Sequence, residues 1–314
     1  MRLNHRSQSL GDVSSHRPGY PVRRLAILSC CLILAFSACW PRQTVTLALL
    51  GDINLGRGVN PSAGSLALLA SDLEGADLAL ANLESPLSAI LPAANLTYNL
   101  CSPAGRADLL AAWSLDLLSI ANNHSSDCGL DGPSETRSAL EGAGVTPIGP
   151  GMEPVHREVN GLRLAFLAFD DISSPLDVNA AVQAIRSARE GGTPVIVSIH
   201  WGMEYQEGAT DRQKMLAQQF ATAGALLVWG HHPHVLQPVE WIGATLVLYS
   251  LGNTLFDQGG LEDTRQAALA LVEVSAKGVQ SLRAIPFVID VADSRLVAPD
   301  AQTARKVLDR LKIK

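Results

Sequence analysis

An α/β architecture with mixed sheets is the fold class this sequence predicts. Near-continuous apolar runs of strand length alternate with segments of helical periodicity, and several of those helical segments end beside glycine. One late pair of β-rich runs is joined by a tight turn instead of a helix, which mixes antiparallel pairing into the sheets. The chain has 314 residues, 47% hydrophobic and 17% charged, enough length and apolar content to bury a sizeable core and too apolar for a disordered chain.

Residues 1–39 stand apart from that fold. Arg23 and Arg24 precede the run LAILSCCLILAFSA, residues 25–38, which is shorter than the roughly 20 residues that cross a bilayer and suits the apolar region of a secretion signal. The ending FSAC resembles a bacterial lipoprotein cleavage box, with Phe36 where that pattern prefers Leu. Lipidation of Cys39, ordinary signal cleavage and an uncleaved anchor are the three alternatives. The expectation is an export segment at 1–39, a single domain at 40–314, and a place in the cell envelope, membrane-anchored outside the cytoplasm.

Charge divides the same way. The net charge is −6, and five arginines and one aspartate give residues 1–38 a charge of +4, leaving −10 on the rest. An acidic mature chain is not a general nucleic-acid binder. Once the cysteines at 30, 31 and 39 are set aside, Cys101 and Cys128 remain. In an oxidising compartment they can pair; two free thiols is the other reading, since sequence does not give the separation a disulfide needs.

The elements follow in order. Strands are predicted in TVTLALL (44–50), LALAN (78–82), LDLLSIA (115–121), LRLAFLAF (162–169), PVIVSI (194–199), ALLVW (225–229) and TLVLYS (245–250). Their unbroken apolar character means sheets covered on both faces. Helices are predicted at 103–113, 133–141, 178–190 and 211–223. RQAALALVEVSAKGVQSLRAIPFVIDV (265–291) reads as two antiparallel strands around Lys277 and Gly278, and residues 301–314 as an amphipathic surface helix with Val307, Leu308 and Leu311 apolar.

Unusual polar residues recur at the carboxyl ends of these strands, where open α/β sheets form their binding crevices. Asp52 follows TVTLALLG, Glu84 follows LALANL, Asn123 and His124 follow LDLLSIAN, His200 closes PVIVSIH, and GHHPH follows ALLVW. Each alone has an ordinary explanation: Asp52 as a turn cap, Asn123 as a left-handed residue, His200 as a core histidine. Together they form the nitrogen and oxygen ligand set of Mn, Zn or Fe, and the lack of a cysteine cluster argues against a structural zinc. Pro233 biases His232 toward extended backbone, so His232 and His234 are expected on one face and His231 on the other, packed or in a supporting role. GDINLGRG is not a nucleotide P-loop, because Arg57 and Gly58 stand where Lys and Ser/Thr are needed.

The ordered blocks GDINLGR, ANLESPL, IANNHSSDCG, SIHWGMEY, GHHPHVLQPVE and YSLGNTLFDQ resemble the bacterial capsule-synthesis CapA family, associated with poly-γ-glutamate, from residue 46 to about 290. That resemblance implies a relative of the calcineurin-like metallophosphoesterases, a four-layer α/β/β/α sandwich. It implies Asp52 as a ligand of a first metal, Glu84 as a bridging carboxylate, Asn123, His200 and His232 as ligands of a second, and His234 as a ligand of the first. One or two divalent ions are then expected. His124 resembles the histidine that stabilises the transition state or protonates the leaving group. Two departures stand out: the first phosphoesterase motif is D-x-H, where this chain has Asn54, and the bridge is Glu84 instead of Asp. Arg57 is a candidate clamp for a substrate phosphate or carboxylate.

Three functions follow. The first is an envelope CapA-like protein for synthesis, export or anchoring of a poly-γ-glutamate-type capsule polymer, through a metal-dependent hydrolase- or transferase-like site and with membrane-embedded capsule-synthesis partners. The second is a metal-dependent phosphoesterase of the envelope. The third is a non-catalytic polymer-binding module.

Overall fold

The computed structural model describes residues 43–92 and 98–313; the export segment expected at 1–39 lies outside them. In chain order the strands are β1 (Thr44–Ile53), β2 (Leu78–Leu83), β3 (Leu87–Ser88), β4 (Ser102–Pro103), β5 (Leu117–Ser119), β6 (Thr146–Ile148), β7 (Val155–Val159) and β8 (Leu162–Asp170). They continue as β9 (Val195–His200), β10 (Leu227–His231), β11 (Leu236–Ile242), β12 (Thr245–Leu251), β13 (Asn253–Leu255), β14 (Gln266–Ser275), β15 (Gly278–Asp290) and β16 (Arg295–Val297). The helices are α1 (Ala70–Glu74), α2 (Ala107–Ala112), α3 (Gly132–Gly142), α4 (Val178–Ala188), α5 (Asp211–Ala223) and α6 (Ala301–Leu311).

Two mixed sheets result. The first runs β16-β15-β14-β1-β2-β5-β6 with β13 added beside β1, and the second runs β11-β12-β10-β9-β8-β7. In the first, β1 pairs parallel with β2 and antiparallel with β14; in the second, β10 pairs parallel with β9 and β12 while β11 and β12 are antiparallel. The hairpin expected around Lys277 and Gly278 is present as β14 and β15.

Three apolar layers show why the strands lack polar alternation. Leu47, Leu49, Leu80 and Ala270 from the first sheet interleave with Leu164, Phe166, Leu227 and Trp229 from the second, forming a core between the sheets. The far face of the first sheet packs on Leu73, Leu110 and Leu140 of α1 to α3, and the far face of the second on Ile185, Leu216 and Phe220 of α4 and α5. A sheet buried on both faces needs no polar side, so continuous apolar runs are the expected signature. The result is a four-layer α/β/β/α sandwich, the architecture that the sequence resemblance implies.

Local chemistry sets the helix ends. The Thr210 side chain accepts from Gln213 N while the Gln213 side chain accepts from Thr210 N, a capping box that starts α5, and Gly224 at φ 98° stops it. The helix predicted over 103–113 begins as a 3₁₀ turn at Ala104–Arg106, and the one predicted over 178–190 ends at Ala188. Gly191, at φ 71°, carries the chain out of helical conformation just beyond it. α6 places Val307 and Leu311 in the intersheet core, as its amphipathic pattern predicts.

One crossing positions the site. β14 pairs with β1 only as far as Leu49; beyond it β13 takes over, with Asn253 opposite Asp52. The chain passes from β12 in the second sheet to β13 in the first through Gly252, at φ 76°. Gly51 meets it there so closely that a Cβ on Gly51 would lie 1.8 Å from the Gly252 carbonyl oxygen. The two sheets are therefore joined beside Asp52.

Candidate metal centre

Asp52 is fully buried at the end of β1, and both its carboxylate oxygens are held. Asn82 Nδ2 donates to Oδ1 at 2.8 Å, and the His232 backbone N–H donates to Oδ2 at 3.2 Å. His231 Nδ1 stands 3.3 Å from Oδ1 and His234 Nδ1 3.5 Å from Oδ2. Burial alone raises the Asp52 carboxyl, but His231, with His234 and His200 beyond it, outweighs that and holds it below the usual carboxylate range. Asn82 also stands 3.4 Å from His200 Nδ1, so one amide ties the first-sheet carboxylate to the second-sheet histidine.

Glu84 is the centre of the arrangement. Its Oε1 lies 3.6 Å from His234 Nε2 and 3.8 Å from both His200 Nε2 and His124 Nε2. Neither carboxylate oxygen has a hydrogen-bond partner, although the residue is 1% exposed. Burial, then the charge of Asp52, pushes this carboxyl well above its ordinary value. His200 is driven well below the ordinary histidine value by burial and by His232, and His232 is lowered to about 4 by burial and by His234. Two histidines that resist protonation, His200 and His232, beside a buried carboxyl group without hydrogen-bond partners are a group awaiting a cation.

The HHPH segment departs from the extended backbone predicted for it. His232 has φ 95° and His234 φ 58°, so a bend with left-handed residues on both sides of Pro233, not strand alternation, brings the two rings to 5.9 Å. A proline ring stiffens this bend, and the ligand cluster rewards the unusual conformation. His234 Nδ1 lies 2.9 Å from Asn253 Oδ1, whose amide is oriented by Nδ2 donating to Thr264 O at 2.9 Å. Nδ1 therefore carries the proton and leaves the Nε2 lone pair facing Glu84. His231 ends β10 and packs edge-on against Trp229, ring centroids 4.3 Å apart, with its Nδ1 3.3 Å from Asp52 Oδ1.

The other predicted residues are also placed. His200 closes β9 opposite His231, its ring 4.9 Å from that of His232. Asn122 is spent on structure, donating to Leu83 O at 2.9 Å and accepting from His124 N at 3.2 Å, whereas the Asn123 side-chain oxygen is buried without a partner. His124 Nδ1 pairs with Asp127 Oδ2 at 2.8 Å. Cys101 and Cys128 form a disulfide beside it, Cα atoms 5.0 Å apart. Arg57 is paired with Asp257, Nε donating to Oδ2 at 2.7 Å, and its guanidinium lies 5.7 Å from the Phe256 ring centre. Burial raises Asp257, but Arg57 outweighs it and holds the carboxyl below its ordinary value. Asn54 is engaged by its neighbours: its Oδ1 accepts from Gly56 N at 2.8 Å and its Nδ2 donates toward Asp257 at 3.3 Å.

The donor set fits a metal. Two atoms binding one ion at about 2.0–2.2 Å stand about 3.0–3.5 Å apart, near the separations around Glu84 and too long for hydrogen bonds between those atoms. Three sets of potential ligand atoms each lie within 4.8 Å: Glu84, His200 and His232; Asp52, Glu84 and His234; and Glu204, His232 and His234. Sequence reasoning missed Glu204, four residues past His200 in the SIHWGMEY block, and the supporting residues Asn82, Asp127, Asn253 and Asp257. Asn82 and Asn253 each lie inside quoted blocks, and their positions at strand ends were the available signal.

Known proteins resemble this chain in sequence and in fold. The profile of the bacterial capsule synthesis protein PGA_cap matches residues 46–258. The chain is 28% identical to the PGA biosynthesis protein CapA of Bacillus subtilis (strain 168), over 86% of this chain and 78% of that one. It is 27% identical to the capsule biosynthesis protein CapA of Bacillus anthracis, over 78% and 67%. A crystal structure of a hypothetical protein from Thermus thermophilus superposes with TM-score 0.53 at 17% identity, covering 77% of this chain and 99% of that one, a likeness of fold.

Proposed function

The chain belongs to the bacterial capsule synthesis protein family PGA_cap, and on that premise we propose that it is an exported envelope protein handling an anionic polymer of the poly-γ-glutamate type through a metal-dependent, hydrolase- or transferase-like centre. The observation that carries the reading is Glu84: a buried carboxylate without hydrogen bonds, faced by three imidazole Nε2 atoms at 3.6–3.8 Å. Asp52, Glu84, Asn123, His200, His232 and His234 would hold the metal, one or two ions of Mn, Zn or Fe. When bound, such an ion polarises a carbonyl or phosphoryl oxygen and lowers the pKa of water.

The chain's own residues do the rest. His124, held through Nδ1 by Asp127, exchanges a proton at Nε2, which faces the centre. Arg57, 31% exposed in its side chain and backed by Asp257, presents positive charge to an anionic group of the substrate. Export is supported by the 25–38 run and by the disulfide, which suits an oxidising compartment. Among the described residues no helix is long and apolar enough to cross a membrane, so anchoring rests on the N-terminal segment, by lipid or by uncleaved signal. Membrane-embedded capsule-synthesis proteins are its partners, and nucleic acid is not.

The test is incubation of the purified protein, loaded with Mn, Zn or Fe, with poly-γ-glutamate, reading polymer length and new chain ends by mass spectrometry. Metal-dependent change lost in Glu84→Gln supports the reading; a protein that takes up no metal and leaves the polymer unbound and unchanged sinks it. The fold and the His124–Asp127 pair favour one other reading, a phosphoesterase of the envelope. Metal-dependent turnover of a chromogenic phosphodiester with an untouched polymer selects it.

A further inference from the structure

Glu204 lies on the loop between β9 and α5, and the fold fixes that loop on both sides of it. Trp201 is fully buried and donates through Nε1 to Tyr249 O at 3.0 Å, while its backbone N–H donates to His231 O at 3.1 Å. Gly202 has φ 88°, and a Cβ there would lie 2.7 Å from the Gln213 side chain, so the turn before Glu204 requires glycine. The Tyr205 N–H donates to Pro233 O at 2.8 Å, tying the residue after Glu204 to the bend that carries His232 and His234. Further on, Gln237 Nε2 donates to Gln206 O at 2.8 Å, and its Oε1 accepts from Gln213 Nε2 at 2.8 Å.

This anchoring delivers a carboxylate that makes no ion pair among the described residues. Its potential ligand atom lies within 4.8 Å of those of His232 and His234. These are the two histidines that the buried sets divide between them, His232 with Glu84 and His200, and His234 with Asp52 and Glu84. His232 is 6% exposed and its Nδ1 has no hydrogen-bond partner, a sign of an absent ligand. Asn54, meanwhile, is occupied with Gly56 and Asp257 and offers the centre no donor.

We propose that Glu204 is a metal ligand of this centre, a carboxylate at its solvent side that joins His232 and His234 and makes up the donor that Asn54 withholds. Glu84 closes the centre from the buried side and Glu204 from the open side. With Asp52, the centre then has three carboxylates, a hard oxygen set that favours Mn over Zn more than a histidine-dominated site does. The proposal rests on the metal-centre reading above.

Isothermal titration of Mn²⁺ and Zn²⁺ into metal-stripped wild type, Glu204→Gln and Glu207→Gln tests it. Glu207 lies on the same loop, where it pairs with Arg310 at 2.7 Å, so its variant loosens the loop and keeps the Glu204 carboxylate. The expected result is Mn²⁺ binding at least about tenfold weaker in Glu204→Gln, a smaller loss for Zn²⁺, and unchanged binding in Glu207→Gln. Because Glu204 is exposed, the thermal midpoint of the metal-free variant should match wild type. Equal affinity and stoichiometry in Glu204→Gln overturns the proposal and leaves the metal centre standing. An equal loss in both variants assigns the effect to loop order and overturns it too. A wild type that binds neither ion removes the centre and the ligand together.

Discussion

Asp127 Oδ2 receives two hydrogen bonds, one from His124 Nδ1 at 2.8 Å and one from the Leu100 backbone N–H at 2.7 Å. The second fixes the carboxylate so that the first can fix the imidazole. The His124 Nε2 is thereby aimed at Glu84, 3.8 Å away, without the histidine being counted among the metal-ligand sets. His124→Ala should therefore retain metal and lose about 10²- to 10⁴-fold in turnover, the usual worth of a positioned acid or base. Asp127→Asn should also retain metal, lose less, and shift the pH profile, since it alters orientation and charge beside an intact ring. Metal analysis together with a rate–pH profile checks both, and loss of metal in either variant contradicts the assignment.

Metal content separates the three clustered histidines. His232→Ala and His234→Ala each remove a nitrogen that water replaces poorly, and each should lose most of the bound metal. His231→Ala removes only a neighbour of Asp52, whose carboxylate keeps its hydrogen bonds from Asn82 and the His232 N–H. Its affinity should fall by about 10- to 100-fold, as for partners that orient ligands. Full metal in His232→Ala with none in His231→Ala, by elemental analysis, reverses this reading.

The convergence of these side chains was legible in the sequence because strand ends are legible. Asp52, Glu84, His200 and the HHPH group each terminate an apolar run, and parallel strands in register bring their ends to one edge. Strand alternation does not account for the pairing of His232 with His234. Local preference before Pro233 favours extended backbone, but the structure bends there with two left-handed residues, a choice that tertiary contacts impose. Residues acting across large sequence distances, such as Asp257 on Arg57 or Asn253 on His234, carry no local period at all. The joining of the sheets at Gly252 was equally hidden, because a single glycine marks it.

Gly51→Ala tests that joint. Its Cβ would fall on the Gly252 carbonyl, a backbone atom that cannot rotate away, so β1 and β13 must separate. The expected cost is about 3 kcal/mol or more, of the order of severe overpacking in a core. Chemical denaturation measures it, and metal affinity should drop in parallel because Asp52 follows directly. A variant as stable as wild type would mean that the two strands are not held in this register.

The Arg57–Asp257 pair predicts an acid dependence. Asp257 has its carboxyl lowered in the folded state, so the stability it contributes is fully present above the unfolded value of 3.8 and is lost as pH falls through the folded value. The difference in denaturation midpoint between wild type and Asp257→Asn should be constant at neutral pH and shrink below about pH 4. Growth of that difference on acidification would reverse the sign and dismiss the pair as a stabilising contact. With Asp257 neutralised, Arg57 should also bind an anionic inhibitor more tightly, since it no longer shares its charge.

The disulfide ties stability to chemistry. Cys101 and Cys128 close a loop across a sequence separation of 27, for which loop-closure entropy gives about 3.5 kcal/mol in the chain-entropy account. Cys128 adjoins Asp127, and Cys101 adjoins Leu100, whose N–H holds Asp127; Asn99 Nδ2 donates to Asp127 O at 2.6 Å as well. Opening the bridge thus loosens both segments of the clamp that orients His124, while Asp52, Glu84 and the HHPH bend lie on other elements and keep their contacts. Reduction, or Cys101→Ser with Cys128→Ser, should lower the denaturation midpoint and reduce turnover with metal content unchanged. The loss should resemble that of Asp127→Asn, and adding Asp127→Asn to the double serine variant should cost little more, because both act on the same imidazole. Fully additive losses would show that the bridge influences the centre by some route other than Asp127.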